Sequence, residues 1–176
     1  VTAVLIAPLA LPILPVESFI AWSALLGVEP STNEGKELSR LPQFYADMHG
    51  WREIAETVAG VVRGLEPEDR ARACVFGQNY GEAGAVEHFG PEFGLPPAIS
   101  AHNSWHLWGP GSCSGEVLLV LGDHRERLEE LFEQVELGAT FDCRDCMPYE
   151  DALPVWIVRR PRADLRALWP RIKHFD

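Results

Sequence analysis

The segment that most limits the possible folds is Glu116-Val117-Leu118-Leu119-Val120-Leu121, an almost unbroken apolar run. A strand that reads this way has both faces covered, as in a sheet sandwiched between helices. Around it, helix-like and strand-like segments alternate. From Asp47 the apolar positions Met48, Trp51, Ile54, Ala55, Val58, Val61, Val62 and Leu65 follow helical spacing, with Asp47 as N-cap and Gly64 and Pro67 as the stop. Residues 73–76 read as a strand, 82–89 as a short helix ended by Gly90-Pro91, and 98–100 as a short strand. Residues 124–135 read as a helix capped by Asp123, with Leu128, Leu131, Phe132 and Val135 inward. Residues 136–141 and 154–159 are further strands, and 162–169 a terminal helix. The alternation predicts an α/β layered domain with a mainly parallel sheet flanked by helices.

Two glycine- and aromatic-rich segments follow strand-like runs. One is Gly77-Gln78-Asn79-Tyr80-Gly81-Glu82-Ala83-Gly84; the other runs from Ser100 through His102, Asn103, Trp105, His106 and Trp108 to Pro110. In an open α/β sheet the loops after parallel strands gather along one edge, where ligands bind. The glycine spacing is a poor match to a dinucleotide loop, and Glu82 in the first helical turn would repel a phosphate. A neutral polar ligand such as a sugar or glycolipid fits better, with amides and a carboxylate for hydroxyls and aromatic rings for apolar faces. The candidate ligand-binding cluster is Asn79, Tyr80, Glu82, His102, Asn103 and Trp105, with Glu82 and His102 as the pH-sensitive contacts. The competing structural reading has Asn79 and Asn103 bracing the loops and the tryptophans filling core. No catalytic residue, metal site or cofactor is assigned. A nucleophile built from Cys113 or Ser114 with His102 or His106 has no support in spacing.

The formal net charge of -11 and pI near 4.9 exclude nucleic acid as a partner, because nothing would neutralise phosphates. Residues 1–16 carry no charge, and residues 18–28 are again uncharged and mostly apolar. This stretch is shorter than the roughly 20 residues of a spanning helix. Because the chain begins at Val1, it is expected to be the outer end of a membrane helix whose start lies upstream. Glu17, Glu29 and Glu34 precede the first cation, Lys36, which places the polar part outside the cytoplasm. Phe19 and Trp22 suit the bilayer interface, and Pro8, Pro12 and Pro15 are tolerated at a membrane end. A buried arm and a signal-peptide remnant are the other readings. The expected division is 1–28, membrane-helix end and interfacial segment, and 29–176, an extracytoplasmic domain joined through a polar connector that includes Asn33 and Gly35.

Of the four cysteines, Cys143-x-x-Cys146 is the only close pair. Zinc would need two further ligands, for which His124 and His174 are available but unpaired in spacing, and the following Met147-Pro148 disfavours a redox helix. A structural disulfide is the leading reading in an oxidising compartment. Cys74, in an apolar strand, reads as buried and inert.

Four stretches together resemble one bacterial group: Phe76-Gly77-x-Asn79-Tyr80-Gly81-Glu82-Ala83-Gly84-Ala85; Leu95-Pro96-Pro97-Ala98-Ile99-Ser100-x-His102-Asn103-Ser104 with Leu107-Trp108-Gly109-Pro110; Cys143-x-x-Cys146-Met147-Pro148-Tyr149-Glu150; and Leu168-Trp169-Pro170-x-x-Lys173-His174-Phe175-Asp176. They are similar to the C-terminal extracytoplasmic part of glycosyltransferase family 39 membrane proteins, relatives of protein O-mannosyltransferases and of the lipid A aminoarabinose transferase. The resemblance implies a cell-membrane protein with its soluble part on the periplasmic face. It also implies transfer of a sugar from a polyprenyl-phosphate donor to an acceptor outside the cytoplasm. In that family the catalytic carboxylates lie in early loops of the N-terminal membrane portion, so this part alone is expected not to be catalytic. Its partners would be that membrane portion and the bilayer. The alternatives are a free-standing carbohydrate-binding module and a thiol or zinc protein centred on Cys143 and Cys146.

Overall fold

The computed structural model describes residues 2–32 and 35–175. Asn33, Glu34 and the closing Asp176 of the terminal motif, named above, lie outside the described residues. The chain forms two compact units: Val1–Gly50 with Cys143–Asp151, and Trp51–Asp142 with Ala152–Asp176.

In the first unit the apolar start folds as two short helices, α1 (Thr2–Ala10) and α2 (Val16–Leu25). Pro12 and Pro15 fall in the break between them, where their missing N–H groups and fixed φ interrupt helical bonding. No helix among the described residues is long and apolar enough to cross a membrane. A single turn, α3 (Gln43–Ala46), places Tyr45 against Phe19, ring centroids 4.6 Å apart, in a small core with Leu41, Ala46 and Met147. The Tyr45 hydroxyl donates to the Leu14 carbonyl. Arg40 pairs with Glu17 and lies 3.7 Å from Asp145. Cys143 and Cys146 are joined as a disulfide. The long helix begins later than Asp47: the Asp47 N–H closes α3 onto the Gln43 carbonyl (2.9 Å), and a left-handed Gly50 (φ 85°) precedes the next helix.

The second unit opens with α4 (Trp51–Gly64) and α5 (Pro67–Arg72), which lead into β1 (Ala73–Gly77). Then follow α6 (Tyr80–Phe93), β2 (Ala98–Ser100), α7 (Trp105–Trp108), β3 (Val117–Leu121), α8 (Arg125–Leu131), β4 (Phe132–Phe141), β5 (Leu153–Pro161) and α9 (Leu165–Ile172). The described residues form one five-stranded sheet in the order β2-β1-β3-β5-β4. β2, β1 and β3 are parallel; β5 is antiparallel to both β3 and β4, so β4 points the same way as the first three. The result is a layered α/β domain whose sheet is mainly parallel in direction. Every residue of β3 is buried, as its apolar run requires. Leu118 and Val120 face a core with Val158, Leu128, Phe132, Leu165 and Trp169, under α8 and α9. Leu119 and its partner Ile157 face the other way, towards the side where Gly138 of β4 meets Val61 of α4. There α4 also packs on α6, which in turn covers β1 and β2.

Several boundaries differ from the local reading. α6 runs past Gly90-Pro91 and ends at Gly94, left-handed at φ 68°, with the Leu95 N–H on the Gly90 carbonyl at 3.0 Å. This is a Schellman closure, and Pro91 is tolerated because it removes only one bond near the end. The helix predicted over 124–135 stops at Leu131. Phe132 and Val135 instead pair with Pro161 and Val158 in the β4–β5 ladder, and their apolar side chains reach the same core from a strand. Asp123 sits at φ 69° rather than in an N-cap conformation. The last helix starts three residues later than predicted, where the Asp164 carboxylate accepts from the Ala167 N–H at 3.1 Å. Cys74 is not an inert thiol: it is bonded to Cys113, which also rules Cys113 out as a nucleophile.

Candidate functional site

The site lies in the second unit, at the carboxyl ends of the parallel strands. The chain leaves β1 for α6 and β2 on one side, then returns across to β3 on the other. Loops diverge at such a switch point and leave a crevice. The loop after β1 is shaped by a reciprocal cap. The Asn79 side chain accepts from the Glu82 N–H at 2.8 Å, while Glu82 accepts from the Gln78 N–H at 2.6 Å and from Asn79 Nδ2 at 3.1 Å. An N-cap Asn and a Glu three residues on satisfy the free amides that begin a helix. Gly77 is required beside this cap: a Cβ there would lie 2.7 Å from the Ala83 nitrogen. Glu82 is 3 % exposed. Burial pushes its carboxyl from 4.5 up to about 7, against the pull of backbone N–H donors from Gln78 and Asn79.

The loop after β2 meets the first one directly. The Tyr80 N–H donates to His102 Nδ1 at 3.3 Å, and the two rings lie 5.1 Å apart. His102 also stacks on His174, centroids 4.6 Å apart and planes within 8°. Tyr80, His102 and His174 thus pack ring on ring, with Tyr80 53 % exposed and His102 buried. The C-terminal segment is laced to this loop by backbone bonds: Asn103 N–H to the His174 carbonyl at 3.0 Å, and His174 N–H to the Ala101 carbonyl at 3.3 Å. Asn103 takes a left-handed conformation (φ 51°), which asparagine tolerates. Trp105 follows in the same turn, its N–H on the His102 carbonyl at 3.2 Å and its ring 4.9 Å from that of Trp108. Beyond it, Leu107 and Trp108 are exposed, and Trp169 of α9 donates from its indole to the His106 carbonyl at 2.9 Å. The loop after β3 joins through Asp123, which accepts from Gln78 Nε2 at 3.1 Å.

The candidate residues therefore divide by what they do. Asn79 and Glu82 hold each other and shape the loop. Tyr80, His102, Asn103 and Trp105 gather where that loop meets the next. Cys143 and Cys146 belong to the other unit. His174 was not among the ligand-binding candidates; it entered only as a possible zinc ligand and through the closing motif, and nothing local says that a terminal segment returns to a loop some 70 residues earlier. Chemically, the rim offers aromatic faces, an imidazole and backbone polar groups. Among the described residues no group of histidine, cysteine or acidic side chains is placed to hold a metal ion. No family model matches the chain, and neither the curated proteins nor the solved structures include a significant match.

Proposed function

We propose that this chain is the accessory extracytoplasmic part of a membrane glycosyltransferase resembling family 39, and that the rim of its second unit holds a sugar of the donor or acceptor. Transfer from the polyprenyl-phosphate donor would take place in a separate membrane portion. The observation that carries the sugar reading is the packing of the Tyr80, His102 and His174 rings on one another, with Tyr80 more than half exposed. Flat aromatic faces next to hydrogen-bonding groups suit the apolar face and hydroxyls of a pyranose. The motif resemblance supports the wider assignment. Two disulfides, Cys74–Cys113 and Cys143–Cys146, suit an oxidising compartment. Ile6, Leu11, Ile13 and Leu25 are more than half exposed, which suits contact with the bilayer interface.

Two measurements test the reading. Titration of the 176-residue chain with a panel of mono- and oligosaccharides, followed by NMR, is expected to shift the Tyr80 and His102 resonances for at least one sugar. Tyr80→Ala should weaken that binding about tenfold, the value of one well-formed aromatic contact. A flat response across the panel overturns the sugar site. Transferase assays should find activity in the protein that joins this chain to its membrane portion and none in the chain alone; activity in the chain alone overturns the accessory role.

A further inference from the structure

On the sheet face covered by α8 and α9 lies a cavity of about 400 Å³. Phe76, Leu118 and Val120 form its floor, and Leu131 and Leu168 stand in its walls. Its lining also holds three cations: Arg127 on α8, Arg171 in the last turn of α9, and Lys173 just beyond it. In a chain with 26 acidic residues against 15 Lys and Arg, this concentration at one opening runs against the composition. The acid in the lining, Asp123, is already engaged: it accepts from Gln78 Nε2 at 3.1 Å and the His124 N–H at 2.7 Å, and lies 3.8 Å from Arg127 Nε. Arg171 and Lys173 have no carboxylate partner among the described residues, and the Lys173 ammonium rests 4.5 Å from the Phe175 ring centroid. Both side chains are exposed.

We propose that this cavity binds a single-chain amphiphile with an anionic head group. The tail lies on the apolar floor, and the head is met by Arg171, Lys173 and Arg127. Apolar surface removed from water drives entry of the tail, and long cationic side chains flank apolar surface while holding their charge at its edge. The volume is near the small end of the ~300–1,000 Å³ usual for ligand pockets, room for one medium chain rather than two. The cavity shares His174 and Gln78 with the neighbouring rim, but Tyr80, the ring tested for sugar contact, is not in its lining.

Calorimetric titration of the full chain with decanoate and decyl phosphate, below their micelle thresholds, tests this. Decyltrimethylammonium and decyl maltoside serve as cationic and neutral controls. Both anionic probes should bind, and the controls should bind about tenfold more weakly or less, as loss of charge-assisted hydrogen bonds requires. Shortening decyl to octyl phosphate should weaken binding about tenfold, as expected for two buried methylenes. Arg171→Gln with Lys173→Gln should weaken decyl phosphate about tenfold with an unchanged circular dichroism spectrum, and Arg127→Gln should act in the same direction. Tyr80→Ala should leave it unchanged, which separates this cavity from the sugar site. Failure of both anions to bind, equal affinity for the cationic probe, or indifference to the two neutralising substitutions overturns the proposal.

Discussion

Gly77 shows how closely the site is built at the level of single atoms. It ends β1 at the point where the first turn of α6 folds back, and the position a Cβ would occupy is 2.7 Å from the Ala83 nitrogen and 3.1 Å from Glu82 Cβ. Those neighbours are backbone and a residue held by the Asn79–Glu82 cap, so neither gives way cheaply. Gly77→Ala should therefore destabilise the second unit by about 1–3 kcal/mol, the usual cost of overpacking, read as a lower denaturation midpoint with an unchanged slope. An unaltered midpoint would mean that the loop yields more easily than its hydrogen bonds suggest. The Asn79-x-x-Glu82 pattern is legible as residues but not as a cap: the sequence offers both side chains to a ligand, with Asn79 bracing the loops as the alternative, and the structure turns each towards the other.

At the scale of elements, the Cys74–Cys113 disulfide ties β1 to the turn that precedes β3, across a sequence separation of 39. Closing a loop of that length removes entropy from the unfolded chain worth about 4 kcal/mol on the chain-entropy model. The Cys143–Cys146 bond spans a separation of only 3 and restricts the unfolded chain far less. Cys74→Ala with Cys113→Ala should accordingly cost about 3–4 kcal/mol in denaturant unfolding, and Cys143→Ala with Cys146→Ala clearly less. The reverse ranking would count against the bond between the strands as the main covalent brace. The β4–β5 pairing makes a similar point without covalent chemistry. Phe132 and Val135 carry helical spacing with Leu128 and Leu131, but the ladder with Pro161 and Val158 takes them.

For the whole molecule the clearest collective property is the response to pH. The Glu82 carboxyl, raised by burial from 4.5 to about 7, binds its proton more tightly in the folded state than in the unfolded one. Its contribution is therefore most favourable below about pH 4.5 and declines as pH rises to about 7, by an amount on the order of 3 kcal/mol. Asp69 acts with the opposite sign. The hydrogen bond from Arg159 (2.7 Å), ahead of the charges of Arg159 and Arg72, holds its carboxyl below 3.8. That contribution is present above the unfolded value and is lost as pH falls through the folded one. Together with the self-repulsion of a net charge of -11, these terms place the stability maximum on the acid side of neutrality. Thermal unfolding from pH 4 to 8 should show it, and Glu82→Gln should flatten the decline towards neutral pH. A wild-type curve that rises through this window would show that the Glu82 carboxylate is stabilised rather than penalised by its surroundings.

Features carried within a short window were readable from the residues alone. The two-sided burial of β3, the places of β1 and β2, the alternation that makes a layered α/β domain, and the meeting of two loops at one sheet edge all follow from local hydrophobic pattern and parallel connectivity. Pairings between distant residues were not readable. The partner of Cys74, the return of His174 to the loop after β2, the conversion of 132–135 from helix to strand, and the cation-lined cavity under α9 all depend on which surfaces meet after the chain has collapsed. Local propensities differ by fractions of a kcal/mol per residue, whereas each buried side chain gains a few kcal/mol from its neighbours. Where the two disagree, packing decides.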